Sequence, residues 1–456
     1  MRTTMTLRRI VLLAAVLGMG ACSLDLATNP NSPDPIGENP TKGQVSAAAN
    51  GLIIALRDDI QDFALDIGIL GREALRIDGS DPRWISELLI GNLDAGGDPF
   101  GGDHWLEEYT AIREGNLLLN SLQTAEQLTP EEISATSGFV KTIQALAFVL
   151  VLDTHTQDSI PIAIPLDVTA PPAPFVTNAA AWDHVITLLE EGNTELAAGG
   201  DAFPFTLPTG FLGFDTPATF ATFNRALRAR VAAYRADWAG VLTALAGSFL
   251  VSGPGADLQR GVYMNYGTGP GDFPNPLVPQ TVENFAHDSL QALVQLQGDG
   301  VTPDLRFTTK VATRSSLSST GFSSSLGFIR YPSPNSSVPI IKNEELILLR
   351  AEANINLSDL GAALPDINQI RSQSGGLAEL ATLGTQEQAI DELLYNRLFS
   401  LLYEGGHRWI DLRRYGRLAL EPAGDILQSR ADEDGNPLPE VVHLTLPIPR
   451  DEVLAR

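Results

Sequence analysis

Between Asn343 and Arg417, apolar residues recur at helical intervals and polar residues mark where each helix starts and stops. Leu346, Leu349 and Ala353 share one face of a helix predicted from about Glu344 to Ile355. Ala363, Ile367 and Ile370 repeat that spacing in a second helix, with Pro365 read in its first turn and Gly375-Gly376 as its stop. Thr385 and Gln388 form a capping box for a third, whose Ile390, Leu393, Leu394, Leu398, Leu401 and Leu402 continue to Gly405-Gly406. Arg397 falls on that apolar face. A buried cation is costly unless paired, so a carboxylate from Glu352, Glu404 or Asp411 is expected against it.

The same pattern runs through the rest of the chain. Trp105, Tyr109, Ile112 and Asn116 line one face of a helix ending near Leu122, and Ile133 to Leu152 is apolar almost all round towards its end, as in a buried helix. Thr216-Pro217 opens a helix with Phe220, Phe223, Leu227, Val231 and Tyr234 on one face. Asp237 caps the next, which Gly247 ends. The short joint Arg235-Ala236-Asp237 makes these two an antiparallel hairpin, the unit from which tetratricopeptide-like solenoids are stacked. Between the helices, residues 158–178, 199–215, 248–281 and 298–339 are rich in Pro, Gly and Ser and read as irregular, while Leu444 to Ile448 alternates like a small strand. Loops this long usually carry function.

His407-Arg408-Trp409-Ile410-Asp411-Leu412-Arg413-Arg414 sets an imidazole, three guanidiniums and a carboxylate within two helical turns. It could be a catalytic or anion-binding cluster. The favoured reading is a structural network in which Arg397, His407, Arg408 and Asp411 satisfy one another while Trp409 fills the core. Leu-Leu-Arg-Ala-Glu-Ala at 348–353, Ile-Asn-Gln-Ile-Arg at 367–371, Tyr-Glu-Gly-Gly-His-Arg-Trp-Ile-Asp-Leu-Arg-Arg-Tyr-Gly at 403–416 and Leu-Pro-Ile-Pro at 446–449 together resemble the C-terminal half of the SusD/RagB family. The family pattern usually has Glu where this chain has Asn396 and Ser400. The resemblance implies a mainly α fold, a helix-hairpin solenoid with an irregular loop-rich subdomain. It also implies a surface lipoprotein that captures nutrients for a TonB-dependent, SusC-like transporter.

Residues 1–21 carry Arg2, Arg8 and Arg9 ahead of the apolar run Ile10–Leu17 and read as a signal peptide. Gly20-Ala21 before Cys22, the only cysteine, resembles a lipobox; the expected product is cut before Cys22, lipidated on its thiol and held to the outer membrane. Residues 22–39, with Pro30, Pro33 and Pro35, read as a tether, leaving 40–456 as the binding domain. Losing the three arginines moves the net charge from −25 to −28, which argues against nucleic acid and anionic membrane as partners.

The chain contains no nucleophile elbow, zinc-protease helix, phosphate loop or EF-hand spacing, so no catalytic residue, cofactor or metal site is expected, and the six scattered histidines are assigned core or surface roles. The most enzyme-like grouping is Asp98 and Asp103 around Pro99-Phe100-Gly101-Gly102, more readily a solvated loop than a glycosidase pair. For binding, the candidates are aromatic residues of Gly/Pro-rich loops: Trp84, Trp105, Tyr263, Tyr266 and Phe273. Their flat faces can stack on a sugar or peptide. The expected function is capture of an oligosaccharide or peptide; a helical scaffold lipoprotein or a secreted glycoside hydrolase are the alternatives.

Overall fold

The computed structural model describes residues 36–96, 104–156, 159–167, 169–270 and 272–456. The predicted signal peptide, Cys22 and nearly all of the tether lie outside them, as do Asp98 and Asp103. Eleven helices among the described residues build the scaffold: α1 (Lys42–Ala55), α2 (Arg57–Leu70), α3 (Leu106–Leu122), α4 (Pro130–Thr154), α5 (Asn178–Ala197), α6 (Pro217–Tyr234), α7 (Trp238–Ala246), α8 (Asn343–Asn356), α9 (Leu360–Gln369), α10 (Gln386–Ser400) and α11 (His407–Arg414). Helices α3 to α9 pack in sequence, each on the next, with α1 beside α3 and α10 against α8. This is the stacked-hairpin arrangement expected of a tetratricopeptide-like fold.

Several of the starts are written in the local sequence. Thr41, Thr129, Thr216 and Thr385 head capping boxes, and Pro130 and Pro217 occupy first-turn positions where a missing N–H costs nothing. Helix α4 is apolar enough to cross a membrane by composition, but 83% of its apolar window is buried inside the protein. It meets α5 at glycine: a Cβ on Gly138 would stand 2.7 Å from the carbonyl oxygen of Gly192, so only hydrogen lets the backbones approach this closely. Helix α8 is buried on nearly every face. Its Ile347, Leu348, Ala351 and Ile355 join Ala363, Ile367 and Leu393 in the C-terminal core.

Two helix boundaries and one predicted strand differ from expectation. Pro365 lies inside α9, not in its first turn, because the helix starts earlier, at the Asp359 cap; past the proline it widens into a π turn over Ile370–Ser374. Helix α10 ends at Ser400, not at Gly405, because ammonium groups cap its last carbonyls. Lys310 Nζ donates to the carbonyls of Phe399 (3.1 Å) and Ser400 (2.8 Å), and Lys342 Nζ to Ser400 (3.0 Å). Leu444 to Ile448 is no strand; it crosses the end of α4, where Leu446 N–H donates to the Thr154 carbonyl at 2.9 Å.

The segment 298–339 is not irregular throughout. Strands β6 (Val311–Ser319) and β7 (Phe322–Phe328) form a hairpin joined by Thr320-Gly321, both at positive φ, which matches the turn to the strand twist. They extend a sheet of order β1-β5-β7-β6 with β1 (Ala74–Arg76) and β5 (Asn284–Ala286). Two small ladders complete the strands: β2 (Ile160–Pro161) with β3 (Phe175–Val176), and β4 (Gly261–Met264) with β8 (Val338–Lys342).

Candidate functional site

In the C-terminal network, α10, α11 and α8 bring charge together in the core. Arg397 is fully buried; its Nε donates to Asp411 Oδ2 at 2.6 Å, and Nη1 stands 3.9 Å from Glu352 Oε2. Arg414 bridges the same two acids, at 2.5 Å to Glu352 and 3.1 Å to Asp411, so two guanidiniums balance two carboxylates. Trp409 is fully buried, donates its indole N–H to the His443 carbonyl at 2.8 Å and lies under the Arg413 guanidinium. Arg408 donates from its backbone N–H to Glu73 Oε1 and from Nη2 to the Asp425 carbonyl. Burial pushes the Glu73 carboxyl up to about 7 and the His407 imidazole down to about 4. Arg397, Glu352, Asp411 and Trp409 are buried, and the two-against-two pairing ties helix to helix; His407 and Arg408 stand outside it, the His407 Nδ1 with no partner among the described residues and Arg408 bonded to Glu73 and Asp425 instead of Asp411.

Glu404 takes no part with Arg397. It receives Lys310 (2.9 Å), Arg330 (3.0 Å) and Lys342 (2.7 Å) in a polar cavity of about 210 Å³. Burial lowers Lys310 to about 8 despite the adjacent carboxylate. At the positions where glutamates were expected, Asn396 and Ser400 accept from Arg306 Nη1 at 2.8 and 3.1 Å, and Asp304 supplies the charge instead.

The five aromatic candidates do not converge. Trp84 is half-buried under the Arg76 guanidinium, 4.8 Å from ring centre to Cζ. Tyr263 lies on β4 with its hydroxyl donating to the Gln259 carbonyl. Tyr266 and Phe273 share one patch, ring centres 6.3 Å apart, where the Tyr266 hydroxyl donates to the Arg57 carbonyl at 2.7 Å. Trp105 is separate: it is the N-cap residue of α3, packed on Tyr109 and His155 with ring centres 4.9 and 5.0 Å away.

Trp105 marks the one end of a groove that periodicity on α3 alone could not disclose, because its second wall is the segment around β2 and β3. Two adjoining cavities of about 290 and 280 Å³ share Ile164 and run along α3. At one end stand Trp105, Tyr109, Pro161 and Pro165; at the other, Asn116, Asn120 and Gln123. The wall is fixed: Tyr109 donates to the Pro161 carbonyl (2.9 Å), Asn116 to Ile164 (3.0 Å) and Arg113 to Leu166 (2.9 Å). Burial drives the Tyr109 hydroxyl far above its ordinary range, so it remains a neutral donor. Asn120 and Gln123 are exposed and supply hydrogen-bonding groups at the end of the groove away from the rings, of which Trp105 is buried, at 5% exposure.

Stacked helix hairpins, with long loops walling a groove on one of them, define a SusD-like fold. A SusD-like carbohydrate binding protein from Bacteroides fragilis superposes with a TM-score of 0.70 at 15% identity, over 91% of this chain and 98% of that one. A SusD-like carbohydrate binding protein from Bacteroides vulgatus gives 0.66 at 15% identity (91% and 96%), and a second SusD-like protein from Bacteroides fragilis gives 0.68 at 13% (93% and 96%). Residues 334–453 match the model of the SusD family, which spans the C-terminal network. Over that segment the chain is similar to the SusD family, and as a whole it shares the fold of the SusD-like structures. No curated protein matches it by sequence.

Proposed function

We propose that the protein is a lipid-anchored outer-membrane binding protein that captures an oligosaccharide in the groove along α3 and passes it unaltered to a TonB-dependent, SusC-like transporter. The observation that carries this reading is the pairing of a SusD-family segment with a pre-formed groove combining aromatic, proline, amide and guanidinium groups. The solved SusD-like structures described as carbohydrate binding support a glycan over a peptide as its occupant. An apolar, proline-lined end and planar amides at the other suit a ligand whose faces are apolar and whose edges carry hydroxyls. The wall is already tied to α3 by three hydrogen bonds, so little ordering remains to oppose binding. The protein acts without catalysis, and Cys22 carries the acyl anchor.

The test is a calorimetric screen of malto-, xylo- and manno-oligosaccharides and a tryptic peptide mixture, followed by chromatography of the recovered ligand and a tagged pull-down from detergent-solubilised membranes. Saturable binding of one glycan class, recovered intact, with a TonB-dependent barrel in the pull-down, is the expected result. Hydrolysed product would make the protein an enzyme. Repeated pull-downs without a barrel, and no glycan bound, would leave a scaffold.

A further inference from the structure

We propose that Asp59, His104 and Glu108 bind one divalent first-row transition cation of the zinc type between α2 and the start of α3. The three side chains are almost wholly buried, at 4%, 1% and 0% exposure, and each offers a ligand atom within 4.8 Å of the other two. His104 Nδ1 is 2.5 Å from Asp59 Oδ1. The Asp59 and Glu108 carboxyls lie against each other, and apart from that contact no donor among the described residues reaches either Glu108 oxygen or Asp59 Oδ2. Buried carboxylates left without a donor are rare in folded proteins, and a cation satisfies both at once.

The fourth group fits the same reading. Asp66 lies two helical turns beyond Asp59 on α2, and its Oδ2 stands 3.6 Å from His104 Nε2. A metal-bound imidazole characteristically presents its other ring N–H to such a carboxylate, which fixes the tautomer and orients the ring. Three carboxylates and a protonated imidazole would leave a net charge of −2 in a dry site; a dipositive ion against the neutral imidazole leaves −1. The Phe63 ring meets the His104 ring edge-on at 5.0 Å and closes the apolar side. An imidazole with two carboxylates suits zinc or manganese better than calcium, which prefers an all-oxygen shell. His104 also adopts φ 60, unusual for a residue with a side chain, and leads directly into Trp105. A cation holding His104 therefore fixes the residue that opens the groove.

The site is tested without any glycan. The full chain is produced in zinc-supplemented and in metal-limited, chelator-treated medium; bound metals are counted by mass spectrometry and melting temperatures compared. About one equivalent of zinc, and a melting temperature about 5 °C or more above that of the metal-limited protein, is expected. Glu108→Gln should lose binding by about 100-fold, and Asp66→Asn should weaken it about tenfold. Wild-type protein that takes up no zinc and melts identically in both media would overturn the proposal and assign the cluster to shared protons. Stoichiometric calcium without zinc would overturn the assigned class. Because the decisive comparison uses the wild type, a variant that fails to fold does not blunt it.

Discussion

At the residue scale, the C-terminal network yields two expectations. Trp409→Ala removes a fully buried ring and its indole hydrogen bond, and should cost about 3–5 kcal/mol in denaturant unfolding. Unaltered unfolding would mean that the ring is not part of the core. His407 is held neutral by burial with its pKa lowered to about 4, whereas in the unfolded chain it titrates near 6.5. Its contribution is therefore complete above pH 6.5 and lost as pH falls towards 4, by about 3 kcal/mol at most. Measured against pH, the stability of His407→Gln should be flatter than that of the wild type across that window; parallel curves would contradict the assignment. Much of this network was legible in the sequence, since a lone arginine on an apolar face demands a partner and Asp411 and Glu352 lay within reach. The role of Glu404 was not, because its partners Lys310, Arg330 and Lys342 come from segments far away in the chain.

At the scale of elements, the sequence signals were strongest where caps and period agreed, as at Thr216-Pro217 and Thr385. They failed where tertiary contacts set the boundary: two lysine ammoniums end α10, and a cap at Asp359 draws Pro365 into α9. The β6–β7 hairpin was missed because β6 is polar and exposed along most of its length, although Thr320-Gly321 was a readable turn. The α4–α5 contact gives a prediction in which two effects oppose each other. Gly138→Ala should gain about 1 kcal/mol in helix propensity but lose about 1–3 kcal/mol in overpacking, since its Cβ would press on the Gly192 carbonyl. A net destabilisation in thermal unfolding is expected; a stabilised variant would show that the two helices can separate cheaply.

For the whole molecule, the fold class could be read from helix hairpins and from motifs confined mainly to residues 343–449, whereas the candidate groove could not. Its two walls, α3 and the segment around Ile164, are some 50 residues apart in sequence, and their meeting depends on hydrogen bonds such as that from Asn116 to Ile164. The cluster of Asp59, His104 and Glu108 was hidden for the same reason, as Asp59 and His104 lie 45 positions apart. Cys22→Ala should release the protein from the membrane fraction, and wild-type protein without acyl mass that still sediments with membranes would contradict the anchor. Whether a glycan occupies the α3 groove is decided by titrating the best oligosaccharide from the screen into wild type and into the exposed-amide double variant Asn120→Ala/Gln123→Ala. The double variant should lose affinity by about tenfold or more with unchanged melting temperature, since these side chains lie on the surface of the groove. Equal affinity in the two proteins would place the ligand elsewhere and contradict the proposal.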